Sequence, residues 1–479
     1  NGEVIFSTLL LGFMPMVFFQ EAEEAELEAA QRKVAELEAE LGEEHLDLVQ
    51  PLRDMMMIHS KQALYEKGAE VCRRILFINE KFLGSDHPEV AVDLNNLAVF
   101  LEEGGAYIEA VPLYKRVLVI YEKSYGPNHP SVARALDSLA IILQRQGSYV
   151  EAQPLFERFL AIVEKALGPE HSDVAFALDK LAGLLVDQGS YAEAQPLRER
   201  SLAIREKAFG PNHPDVGASL SDLAVTVEAQ GFYAEARPLY ERALAIFKNT
   251  LGPNHPNIAI SLNRLAILLD RQGSYSKSRP LYERALAIQE RSLGPEHPHV
   301  ATTLVNLANL LRAQGDFAEA IHSLERALEI WKKVFGPEDP KVAPALNNLG
   351  TFLREQGSYT AARPLLEQSL AISEKAFGLE HPDVAIPLTN LAGLFQDQES
   401  YEEARFLYER ALEIYRKTLG IEHPNAANVF SGIGSLLHAQ GSYAESRSMH
   451  ERALAIRIKL FGSDHPRLAE SLHDLAALF

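Results

Sequence analysis

Gly252–Leu293 reads GPNHPNIAISLNRLAILLDRQGSYSKSRPLYERALAIQERSL, and this block of 42 residues recurs along nearly the whole 479-residue chain without insertion or deletion. Its leading glycine returns at Gly42, Gly84, Gly126, Gly168, Gly210, Gly252, Gly294, Gly336, Gly378, Gly420 and Gly462, a constant step of 42. A fixed period of roughly 20 to 50 residues marks a solenoid, in which each unit buries its apolar face only against its neighbours.

Two helical patterns are legible inside the block. Ile258, Leu262, Leu265, Ala266 and Leu269 fall on one face of a first helix, helix A. Tyr275, Leu281, Tyr282, Ala285, Leu286, Ile288 and Leu293 mark a second, helix B, with Gly273 placed to end the first. In a neighbouring copy the turn is Gly147-Ser148-Tyr149-Val150-Glu151, a spacing that predicts a serine cap and a capping box at the start of helix B. Two positions stay small: Ala98, Ala140, Ala182, Ala224, Ala266, Ala308, Gly350, Ala392, Gly434 and Ala476 on helix A, and Ala110, Ala152, Ala194, Ala236, Ser278, Ala320, Ala362, Ala404 and Ser446 on helix B. Small residues on both sides let antiparallel axes approach to the near end of about 8 to 10 Å.

The motifs Leu94-Asn95-Asn96-Leu97-Ala98, Gly147-Ser148-Tyr149, Pro238-Leu239-Tyr240-Glu241-Arg242-Ala243-Leu244 and Gly210-Pro211-Asn212-His213-Pro214 together resemble the tetratricopeptide repeat. The long form is similar to kinesin light chain and nephrocystin-type proteins. The likeness covers residues 43–479, about ten repeats plus a final half repeat. It implies an all-α fold, a right-handed superhelical solenoid of antiparallel helix pairs.

The net charge of −20 argues against a nucleic-acid partner, which needs a lysine and arginine surplus on some face. Cys72 is the only cysteine and no Asn-x-Ser/Thr acceptor occurs, so a cytoplasmic location is expected, cytoskeleton-associated if the chain is an assembly component. Residues 1–20 are apolar from Val4 to Phe19, short of the roughly 18 residues of a membrane span, and lack a basic start; they are assigned no role. Residues 21–41 form a charged helix with Leu27, Val34 and Leu41 seven apart, too few heptads for a sustained coiled coil. It is expected to cap the array, with a short coiled coil as the alternative. The absent starting methionine and the stop inside a helix A are what a fragment of a longer array would show.

A ladder of histidines, His45, His87, His129, His171, His213, His255, His297, His381, His423 and His465, invites a metal reading. Successive copies lie a whole hairpin apart, on the order of 10 Å, whereas zinc ligands approach to about 2 Å, so the ladder is expected to be structural. The proline after each histidine suits the first turn of helix A. Ser172 and Asp339 each break the motif once. Pro112, Pro154, Pro196, Pro238, Pro280 and Pro364 inside helix B predict a local bend. No phosphate-binding loop, Gly-x-Ser-x-Gly or His-Glu-x-x-His motif occurs, and neither a metal nor a cofactor is expected. A signalling NTPase, if this is the repeat part of a larger protein, lies outside the sequence.

The resemblance implies a non-enzymatic scaffold or adaptor whose helix A wall forms a concave groove for peptide segments of partner proteins. At the groove-facing position the chain reads Asn96, Ser138, Lys180, Asp222, Arg264, Asn306, Asn348, Asn390, Gly432 and Asp474. Arg264, Arg271, Asn306, Asn309, Arg312, Asn348, Arg354 and Asn390 form the candidate site, because amides hold a peptide backbone and guanidinium groups pair with carboxylates. This locally basic wall in an acidic chain predicts a preference for acidic peptides, as kinesin light chains take acidic cargo peptides with an aromatic anchor. The competing class is a structural component of a cytoskeletal, motor or ciliary assembly, self-associating through open array ends. Contacts confined to adjacent repeats predict that mutations act locally.

Overall fold

The computed structural model describes residues 16–62, 64–461 and 468–476. Most of the apolar start and the last histidine of the ladder lie outside the described residues. The described residues fold as two compact units, those up to 104 with 112–124, and 105–111 with those from 125 onward.

In the first unit a 26-residue helix, Met16–Leu41, packs against Val49–Lys61, and Val34 is buried. Val49–Lys61 pairs with Tyr65–Leu83, and Pro88–Glu103 follows. The second unit is a run of hairpins in the expected register. Helices A include Pro130–Arg145, Ser172–Asp187, Pro214–Ala229, Pro256–Arg271, Pro298–Gln314, Ala343–Glu355, Pro382–Asp397 and Pro424–Ala439. Their partner helices B begin at Tyr149, Tyr191, Tyr233, Tyr275, Phe317, Tyr359, Tyr401 and Tyr443. No strand occurs among the described residues. Proline does not break helix B: Tyr149–Leu167, with Pro154, and Phe317–Phe335, without proline, both run 19 residues.

The histidine ladder is a ladder of helix caps. At His213 the backbone is extended, φ −74° and ψ 145°, and the imidazole Nδ1 accepts the N–H of Asp215 at 3.2 Å. The same bond recurs from His87 to His423 at 3.0 to 3.2 Å. Each satisfies one of the orphan donors of a helix start. Asp339 does the same work by accepting from Lys341 N–H at 2.8 Å, so this departure from the motif keeps its chemistry.

The serine capping box is not formed and is corrected. Ser148 has ψ 56° and its side chain makes no cap bond; Ser190, Ser274, Ser358 and Ser400 behave alike. The backbone has already closed the turn: Gly147 at φ +69° donates to Gln144 O and Ser148 N–H donates to Leu143 O at 2.8 Å. That geometry fixes the serine away from the extended conformation a side-chain cap needs.

Both small positions are buried from Ala98 to Ser446, for example Ala266 and Ser278 at 0 % exposure, while Ala476 in the final helix is exposed. Where helix A has glycine the partner fills the space: a Cβ on Gly350 would meet Leu366 Cγ at 2.7 Å. Tyr240, Tyr282 and Tyr408 occupy the same position of helix B, each packed inside its hairpin with a hydroxyl bonded to Glu228, Asp270 or Gln396 of helix A.

The expectation that contacts join only adjacent repeats is corrected within the second unit. Among the described residues, three helix A–helix B turns are covered by cap loops 235 positions later. Gly105 lies under Pro340, Gly147 under Pro382 and Gly189 under Pro424. The nearest ring atom is 3.3 Å from where a Cβ would stand at Gly105 and 3.4 Å at Gly189, and it is closer still at Gly147. His381 Nε2 lies 2.6 Å from the Arg145 carbonyl oxygen, and the Tyr107 ring stacks on Phe377 at 5.3 Å and 7°. The repeat step is too short to show this register; it arises because curvature accumulated over several hairpins brings one loop row onto one turn row.

Candidate peptide-binding face

In the second unit, helices A of successive hairpins touch, as Pro256–Arg271 touches Pro298–Gln314 and Pro382–Asp397 touches Pro424–Ala439. No comparable contact joins successive helices B among the described residues, so helices A line the tighter, inward side of this curved stack. Side chains one turn apart on helix A therefore meet their counterparts 42 or 43 positions away.

All eight predicted residues lie on helices A, but the wall they form is not freely basic. Arg264 Nη1 lies 3.3 Å from Asp222, and Arg271 Nη1 3.2 Å from Glu228. Arg312 pairs with Glu355 at 3.0 Å while its guanidinium sits over the Phe352 ring. Arg354 Nε donates to Asp397 at 2.8 Å, and its guanidinium fills the space above Gly393 that a Cβ would take. Each predicted arginine thus has an acid from the neighbouring hairpin. The expectation of a locally basic wall is corrected to one of alternating charge. Opposite charges 42 or 43 apart on successive helices A are the signal that would have given the pairs.

The amides divide. Asn390 Nδ2 donates to Asn347 Oδ1 at 2.9 Å, which ties two hairpins together, and Asn306 and Asn348 are half-buried. Asn309 is exposed. Upstream, two mostly buried arginines of the helix Tyr191–Phe209 reach the acids of helices A: Arg198 meets both Asp179 and Asp222, at 3.1 and 3.3 Å, and Arg205 meets Asp179 at 2.6 Å. In the Arg264–Asp222, Arg312–Glu355 and Arg354–Asp397 pairs both partners are partly exposed, so the acid can exchange for a carboxylate of a ligand, whereas Glu228 beside Arg271 is buried and also bonded to Tyr240. Exposed ion pairs contribute only about 0 to 1 kcal/mol each, so the exchange is cheap.

No cluster of three or more metal-ligating side chains occurs among the described residues. No described helix is long and apolar enough to cross a membrane. A shallow cleft of about 430 Å³ lies on the other side of the stack, lined by Leu379, Phe406, Ile414 and the charged Glu374, Arg410 and Lys417.

The family model for the tetratricopeptide repeat matches residues 93–165, 135–194, 173–231, 223–291, 271–333, 299–375, 341–417 and 425–479. Among solved structures, the chain is similar to a putative kinesin light chain of nearly identical TPR-like repeats from Podosopora anserina. The identity is 31 % over 43 % of this chain and 98 % of that one, with a TM-score of 0.37. It is also similar to BtubC (BKLC) from P. vanneervenii, at 25 % identity over 47 % of this chain and 89 % of that one, with a TM-score of 0.39. None of the curated proteins matches the chain.

Proposed function

We propose, for a chain that belongs to the tetratricopeptide repeat family, that its helix A face binds extended, acidic peptide segments of partner proteins. As a repeat array of this family the chain is a protein–protein interaction scaffold. The finer reading rests on one observation: Arg264, Arg312 and Arg354 each hold a partly exposed acid of an adjacent hairpin at 2.8 to 3.3 Å. A ligand carboxylate can take the acid's place, and nearby amides such as exposed Asn309 can hold its backbone. Lining of this kind binds and orients, the role of a non-enzymatic scaffold.

The chain's own acids compete with the ligand, which gives a test that a merely basic surface would fail. Glu355→Gln with Asp397→Asn frees Arg312 and Arg354 without removing them, and acidic peptides should then bind several-fold more tightly in fluorescence anisotropy. Changing Arg264, Arg312 and Arg354 to Ala should abolish the same binding, most visibly at low salt. Unchanged affinity in both variants would place the peptide site elsewhere.

A further inference from the structure

Phe406 is 65 % exposed, more than any other phenylalanine among the described residues, and Leu379 is 62 % exposed. Both line the cleft of about 430 Å³ on the helix B side of the stack, together with buried Ile414. A second cleft, of about 420 Å³, shares Phe406 and lies towards the start of its helix, lined by Phe395, Leu407, Glu402 and Glu403. Three of these side chains depart from the repeat. Leu379 stands where the loop has proline from Pro127 to Pro337, Phe406 where helix B has Pro154, Pro238 or Pro364, and Glu402 where it has an uncharged residue such as Val150 or Ala234. The fold does not need them, since the hairpins without them form the same helix pairs.

The curvature of the array does not cover this patch. Pro154 and Pro196 hold the Phe406 position in the hairpins whose turns lie under Pro382 and Pro424, and both stay exposed. Leu379 stays exposed although its own loop is the one seated on the Gly147 turn. The charge around the patch is one-sided. Arg363, Arg405, Arg410 and Lys417 pair with Glu367, Glu409, Glu374 and Glu380 in turn, and Glu413 pairs with Arg416. Glu402 and Glu403, exposed in the first turn of the helix, are in no ion pair among the described residues. An acid in the first turn stabilises a helix, and Glu403 does this as Glu151 does, but Glu402 adds a second charge. The apolar residues 1–20 contain no lysine or arginine to meet these acids.

We propose that the two clefts sharing Phe406 dock a segment of a partner protein in which a large apolar side chain is flanked by lysine or arginine. The apolar side chain fills the space between Leu379, Phe406 and Ile414, and its removal from water drives the contact. The basic side chain lies along the Phe406 ring and reaches Glu402 and Glu403, which joins a cation–ring contact to charge-assisted hydrogen bonds. Phe395 already takes a contact of the first kind, from the Arg363 guanidinium at 5.1 Å. The preference is opposite in sign to that of the helix A face and does not rest on peptide binding there. The same two acids repel an anionic membrane surface.

Three labelled peptides of equal length test this against the full chain in fluorescence anisotropy: paired leucines flanked by lysines, the same with serine for leucine, and the same with glutamate for lysine. The first should bind, less tightly as salt rises, and the other two should bind at least about tenfold more weakly. The triple variant Leu379→Pro, Glu402→Ala, Phe406→Ser copies residues that other hairpins carry at these positions, Pro211, Ala234 and Ser448. It should keep its helix content and lose the first peptide, and Phe406→Ser alone decides the matter if the triple variant loses helix. Glu402→Lys with Glu403→Lys should transfer the preference to the glutamate-flanked peptide. A wild type that binds none of the peptides, equal binding of the leucine and serine peptides, or a folded variant that binds as the wild type does overturns the proposal. So does self-association, or binding to vesicles of phosphatidylserine and phosphatidylcholine, that Phe406→Ser removes, since either gives the patch to another occupant.

Discussion

The loops around His213 and His381 are nearly the same in sequence and in local form, yet one faces water and the other does not. Phe209-Gly210-Pro211-Asn212-His213-Pro214-Asp215 and Phe377-Gly378-Leu379-Glu380-His381-Pro382-Asp383 both stack an aromatic on a histidine that caps helix A. Exposure of the imidazole is 41 % in the first and 2 % in the second. The cap belongs to the repeat; the burial belongs to the turn 235 positions earlier. Local chemistry is thus set once per 42 residues, while the environment is set by a second, longer register that only the curved stack creates.

Acidification should break this comparison most strongly. Burial lowers the His423 pKa to about 4, and lowers that of His381, against the Asp383 carboxylate and the Arg145 carbonyl, which pull the other way. A folded-state pKa below the unfolded value of about 6.5 means that the unfolded state binds the proton first. The stabilisation from these seats is therefore present above about pH 6.5 and is lost as pH falls towards about 4, on the order of 3 kcal/mol for His423. Tyr149, Asp187, Asp383 and Tyr415 are the other titratable groups at these seats. Hydrogen exchange across the pH series should show residues 143–149 and 378–384 opening together, ahead of 210–216. Simultaneous opening of all three segments would remove the burial argument.

Gly147→Asn against Gly273→Asn comes next. Asparagine tolerates positive φ, so the backbone strain is small at both sites. Only at Gly147 does a side chain meet Pro382, and there the overpacking cost should be about 1 to 3 kcal/mol, read as lost protection in the loop at His381. Equal effects at the two glycines would mean that the seat carries no energy.

Overpacking the hairpins tests how far damage travels. Ala140→Leu and Ala266→Leu both force a leucine into a fully buried position, at about 1 to 3 kcal/mol. For Ala266, whose turn is bare, deprotection should stay with its hairpin and neighbours. For Ala140, whose turn lies under Pro382, it should also reach residues 378–384. A purely local response to Ala140→Leu would restore the nearest-neighbour picture that the repeat alone suggests.

Much of this was legible in the sequence, because helix pairing, the small-residue seams and the proline starts are contacts within one period or between adjacent ones. The cap role of histidine was missed because Nδ1 acts here as serine or aspartate usually does, and Asp339 in the same place was the clue. Serine in the turn misled in the opposite sense, since a left-handed glycine before it closes the turn through the backbone. The candidate residues all fall on helices A, but their charge was misread by taking arginines one at a time. The 43-residue spacing of Arg312 to Glu355 and of Arg354 to Asp397 contained the pairing. The 235-position contact was not legible, because it depends on small rotations summed over several hairpins.

The smallest effect concerns the cap itself. Asparagine is a good helix cap, so His213→Asn should be within a few tenths of a kcal/mol of neutral. His381→Asn also loses the bond to the Arg145 carbonyl and should cost about 1 kcal/mol. Denaturation followed by exchange at the two loops separates the cases, and equal costs would assign the buried imidazole no role beyond capping.

The central claim is that two like caps differ in burial because of what lies over them, and imidazole modification by diethyl pyrocarbonate at neutral pH, read residue by residue in a mass spectrometer, tests it most directly. His171 and His213 should react quickly and His381 and His423 slowly. Gly147→Asn should expose His381 while leaving His423 protected under the Gly189 turn. Equal reactivity of His213 and His381 in the wild type would contradict the account.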